Sequence, residues 1–209
     1  MRKFRQHSGV EAPIIFDNID TDQNIPSREM KRVSRHGLGE GLFAGWRYEY
    51  DGMKKVGLRE DFVLNKPDYA GTSVLLGGKN WGCGSSREHA VWALYDYGIR
   101  VIIAESFGRI FHRNCARNGL LAIELPGDQI EMLAEHTSEL PQSSHVMIDL
   151  VNGEIHSPRG EVFEFSIPPS DHHMLVNGLD YIEYTLQYQD AIAAFTSDDR
   201  KARPWAHLN

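Results

Sequence analysis

Apolar positions in the middle of the chain alternate between short continuous runs and helical spacing. Residues 73–76 form a mostly apolar run of strand length, followed by a glycine-rich loop and a helix expected to begin near Ser85 and end at Gly98. The pattern then repeats, with a strand at 101–104, a helix at 107–118, a strand at 120–125 and a helix at 128–139. Strands separated by helices indicate crossover connections and parallel pairing, so the pattern predicts an α/β fold.

An antiparallel hairpin is predicted after these elements. Residues 146–151 and 154–156 have strand-like patterns, and the Asn152-Gly153 dipeptide between them is typical of a tight hairpin turn. Residues 162–165 follow as a further strand candidate. The expected sheet structure is therefore partly parallel and partly antiparallel.

The end of the chain has helical spacing again. From residue 170 onward, apolar residues recur at helical intervals, and Gly178 interrupts them. A chain of 209 residues is long enough for one domain and short for two. We therefore expect a single domain over residues 1–196, including the helical tail, and a loose, exposed end over 197–209.

The first third of the chain is less regular. Residues 14–16 are a candidate short strand, and residues 17–22 form an acidic, turn-prone loop that ends before Pro26. Four glycines and several aromatic residues lie within residues 37–50. This segment is either a mobile lid or a surface loop packed by its own rings, and we favour the lid because long loops are often functional.

Composition and charge limit the possible locations and partners. No apolar run approaches the roughly 20 residues of a membrane-spanning helix, and the basic start does not lead into the apolar stretch of a secretory signal. The expected location is the cytoplasm, with no membrane partner. A net charge of −7, without a basic stripe, argues against nucleic-acid binding. Two cysteines form no disulfide framework, and they are too few to hold an iron–sulfur cluster.

The glycine-rich loop is the best candidate for chemistry. Residues 77–84 contain four glycines, which allow close approach of a ligand, and the following helix directs free N–H groups toward the same place. We expect Ser85 to cap this helix with Glu88 as its capping-box partner, and Arg87 to lie in the first turn. A cap alone would explain both Ser85 and Glu88, whereas an arginine there favours a bound anion such as a carboxylate. The spacing matches neither a P-loop nor a dinucleotide-binding loop, since Lys79 is not followed by Ser or Thr.

The motif around this loop resembles a known family. Residues 82–90, read Gly-Cys-Gly-Ser-Ser-Arg-Glu-His-Ala, together with 106–110 and Asn114, closely resemble the C-terminal swivelling domain of the aconitase superfamily. Other stretches look like the separate small subunit of isopropylmalate dehydratases, namely residues 20–23, 39–43, 65–69 and 178–182. Trp81 and Asn24 depart from the family pattern without removing a catalytic group. The resemblance implies a swivelling β/β/α domain with a partly parallel sheet, a β-hairpin and a helical C-terminal tail.

The resemblance also implies a function. Such a chain would be the small subunit of a heteromeric hydro-lyase that isomerises 2-isopropylmalate and 3-isopropylmalate by dehydration and rehydration, in leucine biosynthesis. Its partner would be the isopropylmalate dehydratase large subunit, which would carry a [4Fe–4S] cluster acting as a Lewis acid. This chain would bind no metal itself, and it would share a small diacid substrate with that partner.

Residue roles follow from the same resemblance. Ser85 would be the catalytic base, and Ser86 and Arg87 would hold a substrate carboxylate. Asp22 matches a further active-site position and is a candidate substrate-binding residue, although a turn-forming role explains it equally well. Arg35 is a candidate second carboxylate-binding arginine, against the alternative of a solvated charge.

Other readings stay open. A related hydro-lyase would act on methylmalate or citraconate, dimethylmalate or homoaconitate, with specificity residing in residues 37–50. A different class is a non-catalytic, anion-binding regulatory module that uses the same helix end.

Cys83 is interpreted as a small residue in a crowded loop rather than a nucleophile, because no base stands beside it in the sequence.

Overall fold

The computed structural model describes residues 1–30 and 34–207. The strands in these residues are β1 (Gln6–Gly9), β2 (Glu11–Ile14), β3 (Tyr48–Asp51), β4 (Lys54–Leu58), β5 (Val74–Gly77), β6 (Val101–Ala104), β7 (Leu121–Glu124), β8 (Val146–Asp149), β9 (Glu154–His156) and β10 (Val162–Glu164). The helices are α1 (Thr21–Asn24), α2 (Ala44–Arg47), α3 (His89–Tyr97), α4 (Arg109–Arg117), α5 (Gly127–Ser138), α6 (Pro169–Asn177), α7 (Tyr181–Leu186) and α8 (Gln189–Ala202).

A parallel sheet forms the centre of the fold. Its order is β2-β5-β6-β7, and every neighbouring pair is parallel, which confirms the predicted crossovers. Every residue of β5 and β6 is buried, because the sheet is covered on both faces. Leu75 and Ile102 pack with α3 and α4 on one face, whereas Val74 and Ile103 pack with α5 on the other. This double burial explains why these strands read as continuous apolar runs.

The antiparallel sheet packs against the face of the parallel sheet that α5 covers. Its order is β1-β8-β9-β10, and Val146, Ile148 and Ile155 join the same apolar cluster as Val74. The predicted hairpin is confirmed, because β8 and β9 pair antiparallel across a turn in which Gly153 has a φ of +71°. The sequence did not indicate β1, whose four residues are mostly exposed and polar.

Two predictions for the first third of the chain are wrong: the position of a strand and the mobility of a loop. The strand expected at 14–16 instead covers residues 11–14, as β2. Its position was missed because Glu11 and Pro13 interrupt the apolar pattern, whereas Phe16, which was included, is exposed. Residues 37–50 are not a mobile lid along their first half. Phe43 is fully buried and stacks on Trp46 with 5.6 Å between ring centroids, so this part belongs to the core.

The helical tail follows the antiparallel sheet. Its predicted break is confirmed at Gly178, which adopts a φ of +71° after α6. The residues expected to form a loose end are partly helical, since α8 continues to Ala202, and most of α7 and α8 is exposed. The assignment of residues 1–196 to one domain stays a prediction. Among residues 1–30 and 34–207, no helix combines the length and apolar character needed to cross a membrane.

Candidate active site

Three loops meet at the carboxyl edge of the parallel sheet. They follow β2, β5 and β6, and backbone hydrogen bonds connect them. Trp81 in the central loop donates from its backbone N–H to the carbonyl of Ser106 at 2.9 Å, and Gly82 donates to the carbonyl of Ile19 at 2.7 Å. The glycine-rich loop is therefore fixed between its two neighbours. Ligands of open α/β sheets commonly bind at this edge.

The glycines of this loop are used for packing within the chain. A Cβ on Gly82 would lie 2.1 Å from the Cγ of Phe111, and a Cβ on Gly77 would lie 2.1 Å from the Cε3 of Trp81. Gly84 differs, because a Cβ there would meet no atom closer than 3.5 Å. Close approach of a ligand is therefore not the reason for Gly77 and Gly82, and the expectation was wrong for these two positions.

The helix after the loop begins later than its sequence suggests. Helix α3 starts at His89, and no side chain caps its first turn, so the expected capping box between Ser85 and Glu88 is absent within the described residues. Ser85 instead donates its backbone N–H to the Oγ1 of Thr21 at 3.0 Å. Arg87 precedes the helix rather than lying in its first turn. Residues 85–87 therefore lie outside the helix, and their side chains are not used to cap it.

Ser85 and Arg87 contact each other directly. The Nε of Arg87 donates to the Oγ of Ser85 at 3.0 Å, and the Arg87 backbone N–H points to the same oxygen at 3.4 Å. A guanidinium donor and a backbone donor thus converge on one hydroxyl oxygen. Such an arrangement favours negative charge on that oxygen, because both groups donate and neither accepts.

Asp22 completes this cluster from the short helix α1, which follows β2 in the chain. Its Oδ1 accepts a hydrogen bond from the Nη2 of Arg87 at 2.8 Å, and the Oγ of Ser27 lies 3.3 Å from the Nη1 of Arg87. The side chains of Arg87 and Asp22 are 41% and 59% exposed, so their ion pair contributes at most about 1 kcal/mol. Another carboxylate can therefore compete with Asp22 for the guanidinium at low cost.

Ser86 lies beside the cluster with an exposed side chain. Its carbonyl oxygen accepts a hydrogen bond from the Nδ2 of Asn114 on α4 at 3.3 Å, which fixes the backbone next to Ser85. The roles of Thr21 and Ser27 were missed in the sequence. Their proximity to Asp22 in the chain was the available signal, but only the fold shows that they contact Ser85 and Arg87.

Arg35 is not brought to this cluster. Its guanidinium carbon lies 4.7 Å from the centroid of the Trp92 ring on α3. Within residues 1–30 and 34–207, Arg35 makes no hydrogen bond to Ser85, Arg87 or Asp22. Four of the five candidate residues therefore lie close together, whereas Arg35 packs against Trp92 on the side of α3.

The cysteines do not form a metal centre. Cys83 is partly exposed and its Sγ lies 3.5 Å from the carbonyl oxygen of Asn18, whereas Cys115 lies in the core and burial raises the pKa of its thiol. In the part of the chain that the structure describes, no three His, Cys, Asp or Glu side chains are grouped to hold a metal. The residues present therefore do not fit an iron–sulfur cluster.

Comparison with known proteins places this site in a known domain type. The family model of the aconitase C-terminal domain matches residues 1–128, which include the glycine-rich loop and the cluster around Ser85. A crystal structure of a 3-isopropylmalate dehydratase from Methanocaldococcus jannaschii has the same fold, with a TM-score of 0.62 and 26% identity. That match covers 91% of this chain and 99% of the archaeal one.

Full-length relatives define the family more narrowly. A 3-isopropylmalate dehydratase small subunit from Cupriavidus necator is 51% identical over 211 aligned residues, and the match covers all of both chains. Another from Afipia carboxidovorans is 45% identical, covering 98% of this chain and all of the relative. The chain belongs to the family of 3-isopropylmalate dehydratase small subunits, which share the aconitase C-terminal domain.

Proposed function

We propose that this chain is the small subunit of a hydro-lyase that interconverts 2-isopropylmalate and 3-isopropylmalate by dehydration and rehydration, in leucine biosynthesis. The observation that carries the proposal is the cluster of Ser85, Arg87 and Asp22 at the carboxyl edge of the sheet. A reaction of this type removes a proton next to a carboxylate. The cluster supplies both a hydroxyl that can take the proton and a guanidinium that can hold the carboxylate.

In this proposal Ser85 is the base, and its environment must stabilise an alkoxide. The bond from the Nε of Arg87 is charge-assisted and contributes about 1.5–3 kcal/mol, equivalent to roughly one to two pKa units. Helix α3 begins four residues after Ser85, so its dipole adds less than the ~2 kcal/mol of the best cases. In water these contributions are too small to stabilise a serine alkoxide. They become larger only when a partner excludes water from the site.

Arg87 holds the substrate carboxylate in the same proposal. Its Nε stays on Ser85, whereas Nη1 and Nη2 contact Ser27 and Asp22 through exposed bonds that a carboxylate can replace. Ser86, whose side chain is exposed, would add a further donor beside the guanidinium. Asp22 then acts by holding Arg87 in place before substrate arrives. Arg35 has no part in the cluster, and a role in substrate binding would require a rearrangement around Trp92.

A large subunit would close the site. Three apolar side chains near the carboxyl edge of the parallel sheet are exposed, namely Ile15, Phe16 and Ile110. Exposed apolar side chains of this kind suit contact with another protein. The isopropylmalate dehydratase large subunit is the proposed partner, and it would carry the [4Fe–4S] cluster that this chain's residues do not fit. The two free thiols, Cys83 and Cys115, suit the reducing cytoplasm, where we place the complex.

Co-expression with candidate large subunits tests the proposal. The purified chain alone should show no turnover, and the complex should hydrate the dehydrated intermediate of isopropylmalate with the highest kcat/KM among a panel of diacids. The panel includes the methylmalate, dimethylmalate and homoaconitate series. Turnover by the chain alone contradicts the proposed partnership, and a preference for another diacid contradicts the proposed substrate. Binding of anions without turnover in any complex would favour a regulatory module.

A further inference from the structure

A second cluster of cationic side chains lies at the opposite edge of the parallel sheet. Arg100 immediately precedes β6, and Gly119 precedes β7, so both lie at the amino ends of the strands. They line a pocket of about 180 Å³ together with Arg2, Lys3 and His7. The Ser85 cluster lies at the carboxyl edge, so the two groups are on opposite sides of the sheet.

Arg100 is held rigidly in this pocket. Its Nη1 donates to the carbonyl oxygens of Tyr95 at 2.9 Å and Ile99 at 2.7 Å, and its guanidinium carbon lies 4.0 Å from the centroid of the Tyr95 ring. Among the described residues, Nε and Nη2 of Arg100 have no hydrogen-bond partner. An arginine fixed on one side, with two donors free on the other, is preorganised for a planar or tetrahedral oxyanion.

His7 is also fixed, from the antiparallel sheet. Its Nε2 lies 2.8 Å from the Oγ of Ser73, the residue before β5. Burial lowers the pKa of His7, and the charges of Arg100 and Arg2 lower it further. Both arginines line the same pocket as the imidazole.

None of the described residues that line the pocket is acidic, although Gln6 in its lining donates to the carboxylate of Asp149 at 2.7 Å. Grouping Arg2, Lys3 and Arg100 around one pocket is unfavourable by itself, and it is unexpected in a chain with a net charge of −7. The volume is below the roughly 300–1,000 Å³ of sites that enclose larger ligands. Charge, donor geometry and size therefore agree on a small anion.

We propose that the pocket between Arg2, Lys3, His7 and Arg100 binds a small oxyanion, either an inorganic phosphate or a compact carboxylate, independently of the Ser85 cluster. Arg100 provides the directional donors through Nε and Nη2. Arg2 and Lys3, which are exposed, add positive charge at the mouth of the pocket. Nothing in this assignment depends on the proposed enzymatic function, because the pocket shares no residue with the cluster.

Titration of the full chain with inorganic phosphate and, separately, with acetate tests the assignment. At matched ionic strength, calorimetry should show saturable binding of at least one anion. Binding should also raise the pKa of His7, followed by NMR of its imidazole, because a nearby anion stabilises the protonated ring. Arg2→Gln and Arg100→Gln should each weaken binding about tenfold or more, as expected for losing a charge-assisted contact.

Two matched variants separate this pocket from other places. Lys54→Gln removes a cation from the exposed β3–β4 hairpin, and it should bind the anion as tightly as the unmodified chain. Arg87→Gln removes the anion-binding group of the Ser85 cluster, so it should lose any anion bound there while the anion-induced rise in the His7 pKa stays the same. Arg100→Gln also removes contacts to the carbonyl oxygens of Tyr95 and Ile99, so Arg2→Gln serves as the variant that leaves packing intact. Absence of saturable binding, equal binding by Arg2→Gln, or an unchanged His7 pKa would overturn the proposal.

Discussion

The Nε of Arg87 donates a hydrogen bond to the Oγ of Ser85 at 3.0 Å, although the two residues precede the helix that was expected to contain them. This contact makes the arginine a partner of the hydroxyl before any substrate is bound. Through Nη1 and Nη2 the same guanidinium reaches Ser27 and Asp22 in the segment after β2. One side chain therefore connects the proposed base to the proposed carboxylate site.

Replacing Arg87 by lysine should affect both of these roles. Arg87→Lys keeps the charge but loses the planar fork, so one ammonium cannot maintain the contacts to Ser85, Ser27 and Asp22 together. In the assembled complex, kcat/KM should fall by about 10- to 100-fold, with a higher KM and a lower kcat. Steady-state kinetics with isopropylmalate measure both constants.

Glu88→Gln is the matched control for that measurement, because Glu88 lies next to Arg87 and its side chain makes no capping bond. Its kinetic constants should stay close to those of the unmodified complex. Unchanged KM and kcat in Arg87→Lys would show that the fork is not used. An equal loss in Glu88→Gln would show that the segment as a whole, rather than the guanidinium, is sensitive.

Gly82 and Gly84 should differ in their tolerance of alanine. Both have a positive φ, +75° and +92°, so each alanine costs about 1–2 kcal/mol of backbone strain. Only Gly82 also faces a ring, since its Cβ would lie 2.1 Å from the Cγ of Phe111. Gly82→Ala should therefore lower the free energy of unfolding by a further 1–3 kcal/mol relative to Gly84→Ala. Urea unfolding of both variants measures this difference, and equal losses would contradict the packing described.

A buried carboxyl should make stability depend on pH. Burial raises the pKa of Glu11 to about 7, against a hydrogen bond from Thr137 that lowers it, and the Oε2 of Glu11 has no partner among the described residues. The folded chain keeps the proton to about pH 7, whereas the unfolded chain releases it near 4.5. Stability from this group is therefore lost as pH rises between these values, by about 3 kcal/mol in total.

The Glu11→Gln variant isolates that effect, because glutamine is neutral at every pH and still offers an acceptor to Thr137. Its free energy of unfolding relative to the unmodified chain should increase between pH 5 and pH 8, measured by urea unfolding. Glu124→Gln, an exposed carboxylate on β7, should show no such trend. A constant difference for Glu11→Gln across this range would mean that Glu11 does not hold its proton in the fold.

The sequence predicted the parallel sheet and the hairpin well, because both depend on local patterns. Continuous apolar runs mark β5 and β6, and Asn152-Gly153 marks the hairpin turn. The helix cap at Ser85 was wrong because α3 begins only at His89, and the Ser85 N–H that Glu88 would take in a capping box is bonded to the Oγ1 of Thr21, which is distant in the chain. Local propensity carries no information about such a tertiary partner.

Much of the candidate site was also predictable, through the resemblance of its motif rather than through spacing. Ser85, Ser86 and Arg87 are adjacent in the chain, so a motif identifies them together. The contact between Arg87 and Asp22 joins the glycine-rich segment to helix α1, and only the fold brings these two segments to one edge of the sheet. Arg35 was chosen from a loose stretch of the resemblance, and the structure places it over Trp92.

The most direct test is the turnover of the Ser85→Ala variant assembled with the large subunit. Alanine preserves the backbone bond to Thr21, so the fold, complex formation and KM should be retained. Loss of a proton-transfer group should lower kcat by about 10²- to 10⁴-fold. Near-normal kcat in a fully assembled Ser85→Ala complex would contradict the account, and it would place the base on another residue.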